Sequence, residues 1–278
     1  MKGISSLLVV MLLFVGSCSS SEKDPLSLPP AVLVSKLDVS GVLCDGMVVQ
    51  QEAAATCWGV ANPYEQVSGC ASWHPKAVTA MADGEGHWRL DIPTPKASME
   101  PQWVEICDAS GATHRIEDVL IGEVWHFAGQ SNMEMPMRGF GSVAGGNYQP
   151  VNNAEEEIAA AAHLSHLRYF KVGYQASESP TEQLRETTWW RASVAEEARE
   201  FSAIAFFCGR RLATELAIPI GIICSPYGGT RIEAWMPAER LSAFHPDDYK
   251  EASELSESAA KKSAPGLLYN GMVYPIEK

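Results

Sequence analysis

Two apolar segments, each followed at once by a polar loop that contains glycine, constrain the fold of this chain most. They cover residues 119–127 and 220–224. Between them, apolar residues recur at helical spacing over 201–216, and Pro219 ends that pattern. A strand, a helix and a second strand in this order predict an α/β fold with a doubly wound parallel sheet, because a helical crossover returns the chain in its original direction.

The side chains of the predicted helix that should face the sheet follow from the same spacing. They are Phe201, Ile204 or Ala205, Cys208, Leu212 and Leu216. We also expect an alanine-rich helix over 154–164 and a strand over 167–172.

The segment 32–118 has a different pattern, in which short apolar stretches alternate with turn signals such as Asp45-Gly46 and Asp83-Gly84. Short strands at such spacing predict a β-sandwich-like domain. We therefore divide the chain into a β-rich domain over 32–118 and the N-terminal part of an α/β domain over 119–278.

Tryptophans are frequent in the β-rich segment. They are Trp58, Trp73, Trp88 and Trp103. Stacking on sugar rings is one interpretation, and filling a small core is the other. The area that an indole buries favours the core.

The first residues are typical of a secretory signal, with Lys2 followed by the apolar run 7–15. Cys18 ends a segment that resembles a bacterial lipoprotein cleavage box, so we predict a signal peptide over 1–18, lipidation at Cys18 and a linker over 19–31. An ordinary signal peptide with an incidental cysteine is the alternative. We expect an exported periplasmic or outer-membrane lipoprotein of a bacterium, bound to the membrane only through its lipid.

Charge and cysteine spacing bear on partners and metals. The net charge of −13 argues against binding to nucleic acid, since attraction to a polyanion needs a basic surface. None of the six cysteines after Cys18 forms a pair with zinc-ligand spacing, and we expect no metal site. Cys208 and Cys224 lie in apolar runs and are expected to be buried free thiols.

Candidate chemistry lies in the two loops after the apolar strands. The first contains Ser131 between Gln130 and Asn132, and the second contains Gly228 and Gly229. Ligands bind at the carboxyl ends of strands in open α/β sheets, where a serine hydroxyl and free amides are exposed. Each loop also has an ordinary structural explanation as a turn or a helix cap. Two such loops at one sheet edge favour a reactive site.

Several motifs occur in order along the chain. They are Asp45-Gly46-Met47-Val48-Val49-Gln50-Gln51, Gly122-Glu123-Val124-Trp125, Gly129-Gln130-Ser131-Asn132-Met133-Glu134-Met135-Pro136, Phe201-Ser202-Ala203, Pro219-Ile220-Gly221, Gly228-Gly229-Thr230-Arg231-Ile232-Glu233-Ala234-Trp235 and Leu268-Tyr269-Asn270-Gly271-Met272. Together they resemble the sialate O-acetylesterases, a family of SGNH hydrolases. The resemblance implies hydrolysis of acetyl esters on a sugar or glycan, without metal or organic cofactor.

The same resemblance assigns roles to individual residues. Ser131 is the expected nucleophile, and the expected oxyanion or substrate contacts are Gln130, Gly228 and Gly229. Possible pocket residues are Asn132, Arg231, Glu233 and Trp235, although a buried ion pair with a packed indole is an equal alternative for the last three.

The chain departs from the family pattern after Met272. There the family has a further strand with an asparagine and then an Asp and a His that complete the triad, whereas this chain stops at Lys278. Its seven histidines, among them His126 and His245, match no family catalytic motif and are interpreted as structural or exposed. We therefore expect impaired esterase activity, an uncovered sheet edge and a complementary C-terminal polypeptide as a partner. The alternatives are a noncatalytic glycan-binding surface lipoprotein and an inactive gene fragment.

Overall fold

The computed structural model describes residues 36–141, 150–161, 163–184, 190–241, 243–244 and 261–277. The predicted signal peptide and linker, the lipidation residue Cys18 and the loop residue His245 lie outside these described residues.

The strands alternate with short turns in the first half of the chain and with helices in the second. In chain order they are β1 (Asp38–Val39), β2 (Val48–Gln50), β3 (Ala54–Val60), β4 (Gln66–Ala71), β5 (His74–Met81), β6 (His87–Pro93), β7 (Ser98–Asp108), β8 (Thr113–Gly129), β9 (Leu164–Lys171), β10 (Arg191–Ser193) and β11 (Ile220–Pro226).

The helices are concentrated after β8. They are α1 (Ser131–Glu134), α2 (Ala154–Ala161), α3 (Ala195–Ala198), α4 (Ala203–Leu216) and α5 (Ala238–Leu241), with a 3₁₀ turn at Ile232–Trp235, a π-helical turn at Tyr269–Val273 and a 3₁₀ turn at Tyr274–Ile276. Among the described residues, no helix has both the length and the apolar character that crossing a bilayer requires.

Two sheets organise the strands. The smaller has the order β1-β3-β6, and the larger has the order β10-β9-β11-β8-β7-β4-β5, with β2 also paired to β8. Strand β11 is parallel to both β8 and β9, whereas β7 is antiparallel to β8 and to β4. The predicted α/β fold class is confirmed, although the sheet is mixed; its parallel part contains β9, β11 and β8.

Strand β8 connects the antiparallel and parallel parts of the larger sheet. Its first part pairs with β7, and residues 123–129 pair in parallel with β11. The expected domain boundary after residue 118 falls inside this strand, at Asp118, whose φ of 55° is unusual for a residue other than glycine. The division into two domains stays a prediction.

The buried side chains form two clusters. In the first, the small sheet faces the antiparallel strands, and Trp58 and Trp88 are buried there, as the core interpretation of the tryptophans requires. Trp73 and Trp103 are only half-buried. The second cluster lies between α4 and the parallel strands, so the parallel strands are supported directly by this helix.

Helix α4 forms where the sequence predicted it, and its buried face agrees with the prediction in part: Phe201 and Ala205 are buried and Leu212 packs against the same core. The buried side chains of α4 are Ala203, Ala205, Phe206, Gly209 and Ala213. Ile204, Cys208 and Leu216 are exposed instead. The small residues face the sheet because they let the helix lie close to it, which a count of large apolar residues does not reveal.

The two cysteines of the apolar runs have different surroundings. Cys224 is buried in β11, as predicted, and burial raises the pKa of its thiol to about 11. The prediction for Cys208 was wrong, because this side chain lies on the exposed face of α4.

Candidate active site

The two candidate loops leave the sheet side by side. In the parallel pair of β8 and β11, Ala128 lies opposite Ser225 and Gly129 lies opposite Pro226. The Tyr227 amide then donates to the Gly129 carbonyl at 2.9 Å. The loop with Ser131 and the loop with the paired glycines therefore start at neighbouring positions on the carboxyl edge of the sheet.

Ser131 is exposed and is the first residue of α1. The side-chain oxygen of Gln130 caps this helix and accepts hydrogen bonds from the Ser131 amide at 3.1 Å and from the Ser131 hydroxyl at 2.9 Å. Within the described part of the chain, the hydroxyl thus donates to an amide oxygen. An amide oxygen is too weak a base to take the proton during nucleophilic attack.

Gly228 lies directly against Ser131. A Cβ atom added to Gly228 would be 3.6 Å from both Cα and Cβ of Ser131. The Gly228 amide does not point to empty space, because it donates to Oε2 of Glu134 at 2.7 Å. Gly229 follows with a φ of 71°, a left-handed conformation that favours glycine.

Glu134 and Tyr174 also belong to this site, although neither was assigned a role from the sequence. Oε1 of Glu134 accepts a hydrogen bond from the Tyr174 hydroxyl. The Tyr174 ring stacks on Tyr227 with centroids 4.5 Å apart. Glu134 lies in the motif 129–136, three residues after Ser131, and this spacing places both residues on one face of a helical turn. No sequence pattern indicated Tyr174.

A cavity of about 380 Å³ adjoins Gln130. It is lined by Ala128, Gly129, Gln130, Thr230, Arg231, Ile232 and Trp235. Two of the expected pocket residues, Arg231 and Trp235, are in this lining. Asn132 is exposed on α1 and is not part of it.

The alternative interpretation of the second loop, an ion pair with a packed indole, is also found. Arg231 Nη2 donates to Oε1 of the buried Glu233 at 2.6 Å, and the indole nitrogen of Trp235 donates to Thr230 Oγ1 at 3.0 Å. The hydrogen bond from Arg231 lowers the pKa of the Glu233 carboxyl. Arg231 therefore lines the cavity, and its ion pair with the buried Glu233 fixes the position of the guanidinium group.

His126 lies in β8 and is an exposed residue, but its ring nitrogen is hydrogen-bonded to the neighbouring strand β11. Its Nε2 lies 2.9 Å from Oγ of Ser225, and that hydroxyl donates to the Met272 carbonyl at 3.0 Å. Because the hydroxyl proton is already donated, Oγ accepts from Nε2–H of a neutral imidazole. Desolvation lowers the pKa of His126 to about 4. With this pKa the imidazole is neutral at pH 7, and its bond to Ser225 joins β8 to β11.

The described residues form no metal-binding cluster, and they leave one edge of the last part of β8 unpaired. Among the described residues, no three His, Cys, Asp or Glu side chains are grouped to hold a metal ion. Residues 123–129 of β8 pair with β11 on one edge and have no strand partner among the described residues on the other. On this stretch, Trp125 is 45% exposed.

Comparison with known proteins finds similarity to sialate O-acetylesterases and to a carbohydrate acetylesterase. No protein-family model matches it. It is 29% identical to human sialate O-acetylesterase over 243 residues, which are 83% of this chain and 44% of that protein. It is 30% identical to the mouse sialate O-acetylesterase over 210 residues, 71% of this chain and 37% of that protein.

A solved structure gives the same indication. The crystal structure of a carbohydrate acetylesterase from Xanthomonas citri matches with a TM-score of 0.69 and 30% identity, over 87% of this chain and 48% of that one. The chain thus spans less than half the length of these relatives.

Proposed function

Because the chain belongs to the sialate O-acetylesterase family, we propose that it serves in hydrolysis of acetyl esters on sugars, with Ser131 as the nucleophile. The observation that carries this proposal is the close approach of a glycine turn to an exposed serine at the carboxyl edge of a parallel sheet, beside a cavity of about 380 Å³. An acetylated sugar is the corresponding substrate.

The reaction begins with attack of Ser131 Oγ on the ester carbonyl to form a tetrahedral intermediate. Its collapse breaks the ester C–O bond, so that the sugar leaves as an alcohol with the proton taken from Ser131 and an acetyl-enzyme remains, which water hydrolyses to acetate and free serine. Gln130 has to release both the hydroxyl and the amide of Ser131 for the attack. The amide then stabilises the oxyanion together with Gly229, since the Gly228 amide is donated to Glu134. Loss of one oxyanion donor typically costs about 10²–10³ in rate.

The attack also requires a base to take the Ser131 proton. Within the described residues the hydroxyl is paired with Gln130 and not with an imidazole, which supports low activity of the chain by itself. We propose that a complementary polypeptide supplies this base and adds a strand to the open edge of β8. A row of unpaired amides and carbonyls on an exposed edge is a suitable surface for such pairing.

Two further proposals concern the cellular location of the protein and the packing of its β-rich part. We propose export and lipidation at Cys18, and a β-sandwich-like packing of the two sheets before residue 118. The shared core of the smaller sheet and the antiparallel strands supports the latter.

An ester-hydrolysis assay with Ser131→Ala tests the function. We expect weak serine-dependent hydrolysis of an acetylated sugar that this variant abolishes, while Ser110→Ala, a change at an exposed serine in the β7–β8 turn, leaves it intact. Hydrolysis that persists in Ser131→Ala would refute the nucleophile. Glycan binding that is indifferent to Ser131, without turnover, would instead support the noncatalytic lipoprotein.

A further inference from the structure

One carboxylate connects the three loops that follow the three neighbouring parallel strands. Glu134 belongs to α1, directly after β8. Its Oε2 accepts from the Gly228 amide, after β11, at 2.7 Å, and its Oε1 accepts from the hydroxyl of Tyr174, after β9. Both oxygens are therefore engaged by groups on different strands, and the contacts converge beside Ser131.

The space around this carboxylate is closely filled. A Cβ atom on Gly228 would lie 2.5 Å from Glu134 Oε2, well inside contact distance. The same Cβ would be 3.6 Å from Ser131. Gly228 thus lies closer to Glu134 than a residue with a Cβ atom could without displacing the carboxylate.

Helix α1 needs such support because it is a single turn. Its backbone hydrogen bonds run from the Glu134 amide to the Gln130 carbonyl at 2.9 Å and from the Met135 amide to the Ser131 carbonyl at 3.0 Å. One turn of helix is unstable in isolation, so tertiary contacts hold it. Glu134 lies one turn from Ser131 and transmits the position of the neighbouring loops to it.

We infer that Glu134 is a positioning residue that holds the Ser131 hydroxyl and the glycine turn at a fixed separation. The expected effect of Glu134 on catalysis rests on the proposed function, whereas its effect on the positions of the loops does not. Hydrogen bonds to a charged acceptor are stronger than neutral ones, which suits a carboxylate in this position. Because the Gly228 amide donates to Glu134, this amide helps to hold the loops together and is not free to bind an oxyanion.

Amide hydrogen exchange at Gly228, followed by NMR, tests the structural part in the intact chain. We expect exchange to be about 10–100-fold faster in Glu134→Ala, the factor that corresponds to losing a hydrogen bond to a charged group. Glu134→Gln retains one acceptor oxygen and should give an intermediate rate. The control Glu100→Gln, at an exposed carboxylate in β7, should leave the rate unchanged.

Tyr174→Phe removes only one of the two hydrogen bonds to the Glu134 carboxylate. It tests the structural role of Glu134 if the Glu134 variants do not fold. It should shift the Gly228 amide resonance and raise its exchange rate by a smaller factor. An exchange rate at Gly228 within about twofold of the wild type in the folded Glu134 variants, or no response to Tyr174→Phe if they do not fold, would overturn the inference.

Kinetics test the catalytic part wherever serine-dependent hydrolysis is measured. We expect Glu134→Ala to lower kcat by about 10²-fold with KM little changed, as misplacement of a reacting group does, and Glu134→Gln to recover part of the loss. Unchanged kcat alongside altered exchange at Gly228 would refute the positioning role. Absence of hydrolysis in the wild type would contradict the proposed function only, since the exchange result decides the inference separately.

Discussion

Replacement of Gly209 by alanine measures how closely α4 is packed on the parallel strands that carry the site. An added Cβ would lie 2.3 Å from Cδ1 of Ile222 and 2.9 Å from Cδ1 of Leu167. Both distances are shorter than real Cβ contacts, so the two side chains must move. Ile222 is in β11 and Leu167 is in β9, so the strain falls on two of the three parallel strands.

Two opposing effects determine the magnitude. Alanine is favoured over glycine in a helix interior by about 1 kcal/mol. Forcing two buried side chains away from their rotamers costs about 1–3 kcal/mol. We therefore expect Gly209→Ala to lower the free energy of unfolding by about 1 kcal/mol, as the overpacking exceeds the gain in helix propensity.

A double-mutant cycle in urea denaturation isolates the clash. Ile222→Val removes the Cδ1 atom nearest to the added methyl and by itself costs about 0.5–1.5 kcal/mol. In the double variant the two changes should compensate, with a coupling of about 1 kcal/mol relative to the sum. Thr214→Ala, at an exposed position of α4, is the matched control and should change stability little.

Two results would refute this reasoning. Stabilisation by Gly209→Ala would mean that helix propensity prevails and that α4 is not closely packed at this point. Additivity of Gly209→Ala and Ile222→Val within about 0.3 kcal/mol would mean that the two sites do not meet.

Further predictions concern a helix cap and two titratable groups. Ser202 caps α4 by accepting from the Ala205 amide at 3.3 Å, so Ser202→Ala should lower the free energy of unfolding by about 1 kcal/mol in urea; an unchanged midpoint would contradict the cap. His126 should titrate in NMR near pH 4 and stability should fall as pH drops from 6.5 toward 4, because the unfolded state binds the proton first; a titration near 6.5 would contradict its desolvation. Since the pKa of Glu233 is lowered by Arg231, its stabilisation should be lost as pH falls from 4.5 through the lowered value. Glu233→Gln should therefore flatten that acid-side loss in denaturation curves, and an unaltered slope would contradict the ion pair.

The position of the candidate site was predictable because it follows from strand order. Ser131 and Gly228 each come directly after an apolar strand, and parallel strands present their carboxyl ends at one edge. The structure brings the two residues into contact, as that rule requires. Their catalytic roles stay predictions.

The partners of the polar groups at the site were not predictable in the same way. The Gly228 amide was expected near an oxyanion but donates to Glu134, and the Ser131 hydroxyl donates to Gln130. These choices depend on side-chain rotamers and on the approach of loops from different strands. A pattern along the chain contains no information about distances between loops.

The sequence by itself determined the kind of fold, the family and the edge of the sheet where Ser131 lies, because apolar periodicity and ordered motifs are local properties. Only the tertiary structure decided which face of α4 is buried and that Glu134 joins three loops. Both depend on close approach: small residues such as Gly209 allow a helix to reach the sheet, and Gly228 allows a turn to reach a carboxylate. Such distances between elements that are far apart in the sequence are set only when the chain has folded.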